Sequence, residues 1–248
     1  MKTKIKLYGL IGRNINYSFS PTYFKNKFKN LNLKKYQYQI FNLENIEDFV
    51  TLINDEKKLK GVNVTIPYKE NIIPYLDNLN KHAKKIGAVN TIKISKTGKK
   101  KGYNTDYIGF KKSLKPLLNK THQKALILGT GGASKAVAYA LKKLNIEYNF
   151  VSRNPTESQY SYSDLNTAIF NEYQIIINTT PIGTYPDIDQ APDLDYLLFT
   201  PQYIAYDLVY NPEETKFLNL AKQNGATIKN GYEMLELQAE KAWKIWNE

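Results

Sequence analysis

Residues 129–135 read Gly-Thr-Gly-Gly-Ala-Ser-Lys, directly after a short apolar run from Ala125 to Leu128. Behind them Ala133, Ala136, Val137, Ala140, Leu141 and Leu144 recur at the spacing of a helix face that packs on a sheet. Strand, glycine turn and helix in that order meet the needs of a dinucleotide pyrophosphate. Glycines let the backbone turn tightly and come close to the phosphates, and the free N–H groups and positive end of the helix hold the charge. Ser134, small but not glycine, stands where the G-x-G-x-x-G pattern has its third glycine. A tight turn into any helix would use the same glycines; the flanking strand and amphipathic helix are what favour a nucleotide.

The next strand indicates which nucleotide. NAD sites place an Asp or Glu about 20 residues past the glycines to grip the ribose 2′-hydroxyl, whereas NADP sites need a cation and no acid there. In Tyr148-Asn149-Phe150-Val151-Ser152-Arg153-Asn154 the strand ends on Ser152 and Arg153, without a carboxylate. Arg13 and Arg153 are the only arginines among 35 basic residues. A chain that otherwise carries its charge on lysine has thus put a planar, bidentate fork where a 2′-phosphate would lie. NADP is the expected cofactor.

The 248 residues suffice for one large domain or two of ordinary size, and 42% hydrophobic content supports a real core. A net charge of +12 raises the question of nucleic acid, but the lysines are spread along the whole chain and no basic motif with interleaved aromatics stands out. Nucleic acid is not an expected partner. With no cysteine there are no disulfides, thiol nucleophiles or thiolate metal sites, and no metal is expected. The basic start, Met1 to Lys6, is followed by an apolar stretch, Leu7 to Ile11, too short for a secretory signal, and no run reaches membrane length. The expectation is a soluble cytoplasmic protein with no membrane partner.

Strand-like runs lie near 4–10, 36–42, 60–65, 88–94, 124–128, 146–151, 174–178 and 203–208, with helical patterns at 20–31, 45–57, 68–76, 106–118, 133–144 and 214–224. This alternation predicts an α/β fold with mostly parallel sheets. The glycine motif should follow the first strand of its own sheet, so the strands before residue 105 form a separate N-terminal unit.

That unit carries four clusters. Ser18-Phe19-Ser20-Pro21 follows the first strand; Ser20 before proline suits a helix N-cap, while Ser18 is not needed for one, and two hydroxyls beside helix-end N–H groups make a carboxylate pocket. In Gly61-Val62-Asn63-Val64-Thr65-Ile66-Pro67-Tyr68-Lys69, alternation sets Asn63 and Thr65 opposite Val62, Val64 and Ile66. Polar residues on a buried parallel strand are expected where its end meets a cleft. Lys69, taken alone, reads as a solvated helix lysine. The remaining clusters are Gly87-Ala88-Val89-Asn90-Thr91 and Gly102-Tyr103-Asn104-Thr105-Asp106, where Asp106 opens the next helix and N-capping is an equally apt use for it.

Together these clusters resemble the shikimate dehydrogenase family over nearly the whole chain. The signatures S-x-S-P, N-V-T-[IV]-P-x-K, G-A-V-N-T and G-x-N-T-D stand in order at Ser18–Pro21, Asn63–Lys69, Gly87–Thr91 and Gly102–Asp106. Asn178 to Gly183, Asp207 to Pro212, and Gly231 to Leu235 with Gln238 follow, also like the family. The resemblance implies a reversible NADP-linked reduction of 3-dehydroshikimate to shikimate in aromatic amino-acid biosynthesis, by a monomer or homodimer. It implies Lys69 and Asp106 as the catalytic pair; Ser18, Ser20 and Tyr210 on the substrate carboxylate; and Asn63, Thr65, Asn90, Asp106 and Gln238 around the ring hydroxyls. The cofactor would lie on Gly129, Gly131, Gly132, Ala133, Ser152, Arg153 and Asn154, with Thr179, Gly183 and Gly231 nearby. Ser152 departs from the Asn commonly found before the NADP-binding arginine. A quinate or dual quinate/shikimate dehydrogenase is the alternative within the family. A ligand-sensing or nucleic-acid-binding protein that kept the fold is the rival from another class, and an intact Lys69 and Asp106 oppose it.

The chemistry supports the same residues independently. Hydride delivery to a ketone builds negative charge on oxygen, which needs a proton donor or cation within hydrogen-bond reach. The two histidines, His82 in a lysine-rich stretch and His122 in the polar connection 119–123, are expected in solvent. Lys69 at a polar strand exit, oriented and tuned by Asp106, fits the task. Gln238 falls in line with Met234 and Ala242 on an apolar helix stripe, and a buried amide there needs a partner such as a substrate hydroxyl. The expected architecture is an α/β substrate domain, 1–104 with the returning C-terminal helix 231–248, and a Rossmann-type NADP domain, 105–230.

Overall fold

A computed structural model describes residues 5–16 and 18–248. They form two compact units: the described residues up to Thr105 together with Ala239–Glu248, and Asp106–Gln238.

The first unit contains β1 (Lys6–Gly12), α1 (Ser20–Asn30), β2 (Tyr36–Asn42), α2 (Asp48–Asp55), β3 (Leu59–Val64), β4 (Asn78–Leu79), α3 (Lys81–Ile86), β5 (Thr91–Ile94) and β6 (Lys100–Tyr103). Its sheet runs β2-β1-β3-β5-β6-β4. β1 lies parallel to β2 and β3, whereas β5 is antiparallel to both β3 and β6. With β4 parallel to β6 as well, the sheet is mostly parallel as expected, and β5 is the one strand that runs against its neighbours. Only residues 95–99 join β5 to β6, closed by a Ser95 N–H to Lys99 carbonyl bond, and so short a link permits a hairpin but no parallel crossover. The expected strand start at residue 4 lies outside the described residues.

β1 is buried from Leu7 to Gly12, as a strand covered on both faces must be. Leu7, Ile11, Phe49, Val62, Val64, Tyr68, Ile72 and Ile92 pack in one cluster. Tyr8, Phe24, Phe28, Ala239, Ala242 and Trp246 pack in another, to which the end of the C-terminal helix contributes. Trp246 donates its indole N–H to the Ile92 carbonyl at 3.0 Å, and the Glu240 carboxylate accepts from Lys27 at 2.5 Å and from the Tyr23 hydroxyl. Each large apolar side chain so buried contributes about 1.5–3 kcal/mol; these contacts fix the chain end to the first unit.

The helix expected over 68–76 is absent. Residues 67–72 form turns, and only Ile73–Tyr75 make a single 3₁₀ turn. Pro74 falls inside the segment and removes the N–H that a regular helix would donate to the Glu70 carbonyl. The Tyr68 hydroxyl pins the turn by bonding to the Leu43 and Glu44 carbonyls, both at 2.8 Å. Lys69 thus sits in a turn, half-buried, and not on an exposed helix.

The second unit contains α4 (Asp106–Leu114), β7 (Lys124–Leu128), α5 (Gly132–Lys143), β8 (Glu147–Val151), α6 (Thr167–Glu172), β9 (Ile175–Asn178), β10 (Ile204–Asp207), α7 (Lys216–Gln223), β11 (Thr227–Lys229) and the first part of α8 (Tyr232–Asn247). All pairings are parallel and the order is β11-β10-β9-β7-β8, a doubly wound nucleotide-binding arrangement. The strand order reverses between β7 and β9, so the switch point lies at their carboxyl ends. Met234 joins Phe110, Val137, Ile177 and Tyr206 in this unit's core. No helix among the described residues is long and apolar enough to cross a membrane.

Candidate functional site

In the first unit, backbone pairing gathers the candidate residues at the carboxyl ends of β1 and β3. Asn63 is in register with Leu10, and the Thr65 N–H donates to the Ile11 carbonyl at 2.9 Å. The Val64 N–H donates to the Asn90 carbonyl at 2.9 Å, and the Val89 N–H to the Lys69 carbonyl at 2.7 Å, so the loops carrying Lys69 and Asn90 run side by side. Ser18 follows a turn in which its N–H donates to the Ile15 carbonyl at 3.1 Å.

Ser20 does not cap its helix. α1 begins at Ser20 itself; Phe19 occupies the N-cap with helical angles, and no side chain caps the first turn. Pro21 keeps the early helix position it favours, while the Ser20 hydroxyl bonds to Tyr38. The Tyr38 hydroxyl in turn donates to Asn63 Oδ1 at 2.8 Å. Burial holds the Tyr38 phenol well above its ordinary pKa, with the Ser20 bond pulling the other way, so it remains a neutral donor.

From Asn63 the network continues inward. Its Nδ2 donates to the Asn90 carbonyl at 3.3 Å and to Thr91 Oγ1 at 3.2 Å; Asn90 Oδ1 accepts from the Thr105 N–H at 2.7 Å. Both N–H donors of Asn63 are used within the protein, and its Oδ1 accepts from Tyr38. Asn63, Asn90, Thr91 and Thr105 are all buried, and no buried side-chain polar atom among the described residues lacks a partner. A fully satisfied polar network in a low-dielectric core holds its members in one geometry. Sequence reasoning does not find Tyr38, although the alternation Tyr36-Gln37-Tyr38-Gln39 places both tyrosines on one strand face and both glutamines on the exposed one.

In the second unit the glycine turn occupies the switch point. Gly129 has φ +100°, which favours glycine, and its N–H donates to the Val151 carbonyl at 2.9 Å. Thr179 closes the other side: its N–H and Oγ1 both bond to the Leu128 carbonyl, at 3.0 and 2.7 Å. Gly131 is the N-cap of α5, and a Cβ placed there would meet nothing within 4 Å. Open space therefore faces the helix N-terminus, where Gly132 and Ala133 begin the first turn and an anion would be held. Ser134 is buried and turns its hydroxyl back to the Gly131 carbonyl at 2.6 Å, so the residue in place of the third glycine braces the turn.

β8 leads to Ser152, whose Oγ accepts from the Asn154 N–H at 3.2 Å, and to an exposed Arg153; the segment returns to bond at Tyr160. An exposed guanidinium with no carboxylate at the strand end fits a 2′-phosphate. Gly183 is buried at φ +85°, Tyr210 is half-buried just beyond β10, and Gly231 packs so closely that a Cβ would lie 2.1 Å from the Leu208 carbonyl oxygen. Gly231 thus has a packing reason to be glycine. Asp106 is the first residue of α4 and Gln238 is buried on α8; the two helices touch at Gly109, where an added Cβ would lie 3.2 Å from the Gln238 nitrogen.

Of the histidines, His82 is half-buried and His122 is buried, contrary to the expectation that both face solvent. His122 Nδ1 accepts from the Asn119 N–H at 3.0 Å, leaving Nε2 to donate to the Gln202 carbonyl at 3.1 Å. Burial lowers its pKa. It knits two loops together and is not placed among the candidate residues.

Residues 10–92 match the model of the shikimate dehydrogenase substrate binding domain. A shikimate dehydrogenase (NADP(+)) from Clostridium botulinum strain Hall is 43% identical over 249 residues, covering 96% of this chain and 95% of its own length. The shikimate 5-dehydrogenase of Thermus thermophilus, solved in complex with NADP(H) and shikimate, superposes with a TM-score of 0.86 at 30% identity, covering 98% of this chain and 93% of that one. A quinate dehydrogenase from Corynebacterium glutamicum, solved with NAD, superposes with a TM-score of 0.84 at 25% identity, covering 98% and 94%.

Proposed function

The chain belongs to the shikimate dehydrogenase family, and we propose that it catalyses the reversible NADP-linked reduction of 3-dehydroshikimate to shikimate. The observation that carries this reading is the 43% identity with an NADP-dependent shikimate dehydrogenase over nearly the full length of both chains. Identity to the quinate enzyme is lower, at 25%, so shikimate is the favoured substrate.

NADPH, when bound, supplies the hydride that becomes the new C–H bond. Everything else falls to the chain's own residues. The helix N-terminus at Gly131–Ala133 holds the pyrophosphate, and Arg153 with Ser152 and Asn154 takes the 2′-phosphate. Thr179 and Gly183 line the remainder of the cofactor's path. Ser18 and Tyr210 donate hydroxyls to the substrate carboxylate, with Ser20 held beside them by Tyr38, while Thr65, Asn90 and Gln238 meet its ring hydroxyls. Asn63 stands behind them as the link between Tyr38 and Asn90. As negative charge grows on the ketone oxygen, the Lys69 ammonium stabilises it and passes it a proton; Asp106 orients the reacting hydroxyl. In the reverse direction Lys69 takes that proton back. The reading carries with it a cytoplasmic enzyme, monomeric or homodimeric.

Lys69→Met tests the assignment. A general acid–base group is worth typically 10²–10⁴-fold, and Met keeps most of the side chain's length. Turnover should fall within that range with NADP affinity unchanged, and turnover within about threefold of wild type would remove Lys69 from the chemistry.

A further inference from the structure

The last residues of β9 and β10 form a polar cluster that the roles above leave unused. Asn178 and Asp207 are register partners on adjacent strands, and both are fully buried. Asp207 Oδ1 accepts from Asn178 Nδ2 at 3.0 Å and from the Val209 N–H at 2.9 Å, and Oδ2 accepts from Thr215 Oγ1 at 2.7 Å. Asn178 Oδ1 accepts from the Thr180 N–H at 3.0 Å and from its hydroxyl at 2.6 Å, while Nδ2 also reaches the Ile182 carbonyl at 3.4 Å. Gly183 lies against the same group: a Cβ there would come within 3.6 Å of Thr215 Cβ.

One carboxylate is therefore tied to three segments at once. Through Asn178 it holds 180–182, directly it holds Val209, and through Thr215 it holds the start of α7. Burying a carboxylate among neutral donors is costly, and apolar residues could close a sheet end at a smaller penalty. What an apolar residue cannot do is fix several backbone segments at bonding distance of one another. The segments fixed here carry Thr179 and Gly183 on one side and Tyr210 on the other.

We propose that Asp207 is a positioning residue that sets the cofactor-side segment 179–183 and the substrate-side Tyr210 relative to each other, acting through Asn178 and the Val209 N–H. This rests on the roles given above to Thr179, Gly183 and Tyr210. Neither Asp207 nor Asn178 touches the reacting groups in it.

The test compares Asp207→Ala, Asp207→Asn and Asn178→Ala by NADP titration calorimetry, by KM for shikimate, and by thermal unfolding. Asp207→Ala should raise both the NADP Kd and the shikimate KM by about tenfold, the equivalent of one lost hydrogen bond. Asp207→Asn keeps the Oδ1 acceptor and offers an N–H to the Thr215 oxygen, and should return both to within about threefold. Asn178→Ala should raise the NADP Kd while leaving the shikimate KM near wild type, because the Val209 bond survives; it carries the test if Asp207→Ala does not fold. A merely structural role would lower the melting temperature and leave Kd and KM of the folded protein unchanged. That result, or equal shifts of both constants in Asn178→Ala, overturns the proposal. Inactivity of the wild type towards shikimate would instead count against the proposed function, with the NADP titration still reading Asp207.

Discussion

Tyr38→Phe deletes a single hydroxyl and leaves its ring where it is, stacked on Phe24 with centroids 4.5 Å apart. The variant loses the bond donated to Asn63 Oδ1 at 2.8 Å and the bond to Ser20. Asn63 is 5% exposed, so water has little access to replace the donor. A buried acceptor left without its partner costs about 1–3 kcal/mol. With a urea slope of about 1–3 kcal/mol/M, a loss of about 2 kcal/mol lowers the unfolding midpoint by roughly 0.7–2 M. The measurement has a built-in reporter: the chain's two tryptophans, Trp243 and Trp246, both lie in the aromatic cluster of the first unit, and Trp246 is 6.4 Å from the Tyr38 ring. Tryptophan fluorescence against urea should therefore show a lower midpoint at unchanged slope. The shikimate KM should rise as well, because Ser20 and Asn63 lose their common anchor. A midpoint change worth less than about 0.5 kcal/mol, the range of ordinary surface substitutions, together with an unchanged KM would refute the reasoning that the network holds these residues in place.

Further outcomes follow from the same geometry. Arg153→Ala should cost about 10- to 150-fold in preference for NADP over NAD, the worth of a charge-assisted bond, and an equal fall in kcat/KM with both cofactors would show that Arg153 serves the fold instead. Ser18→Ala should raise KM for shikimate with little change in kcat, and Ser20→Ala should do likewise without the stability loss of a missing cap, since Ser20 caps nothing; unchanged KM in both would empty the carboxylate pocket. His122 has its pKa lowered by burial, so below about pH 6.5 the unfolded chain takes up a proton that the folded chain resists. Its contribution to stability is thus present above that pH and lost as pH falls, and His122→Gln should lessen the drop in melting temperature between pH 7.5 and 5.5; an identical drop in both proteins would contradict this.

Much of the second unit is legible in the sequence because its signals are local. An apolar run before the glycines, helical spacing behind them and the missing carboxylate after Val151 place the turn on the first strand of its sheet and point to NADP. The first unit is less so. β4 is two residues long, and β6, Lys100–Tyr103, has no apolar alternation, since pairing with β5 and not its own pattern makes it a strand. α3 escapes the periodicity although its ends are marked: Asn80 accepts from the His82 N–H, and Gly87 at φ +72° stops the helix. The apolar spacing over 68–76 suggests a helix that Pro74 interrupts. Lys69 and Asn90 stand in separate motifs, and only the Val89 to Lys69 backbone bond sets their loops side by side. Tyr38 lies 25 residues from Asn63 in the chain and Asp207 29 residues from Asn178, so these ties emerge from pairing and burial and not from spacing.

Absorbance at 340 nm of purified protein with NADPH and 3-dehydroshikimate, and of NADP with shikimate in reverse, decides whether these residues form the dehydrogenase described. Substrate-dependent NADPH oxidation should be seen, reversed with shikimate and NADP, with kcat/KM for shikimate above that for quinate and for NADP above that for NAD. No change in absorbance with either substrate, from protein that is folded and binds NADP, would contradict it.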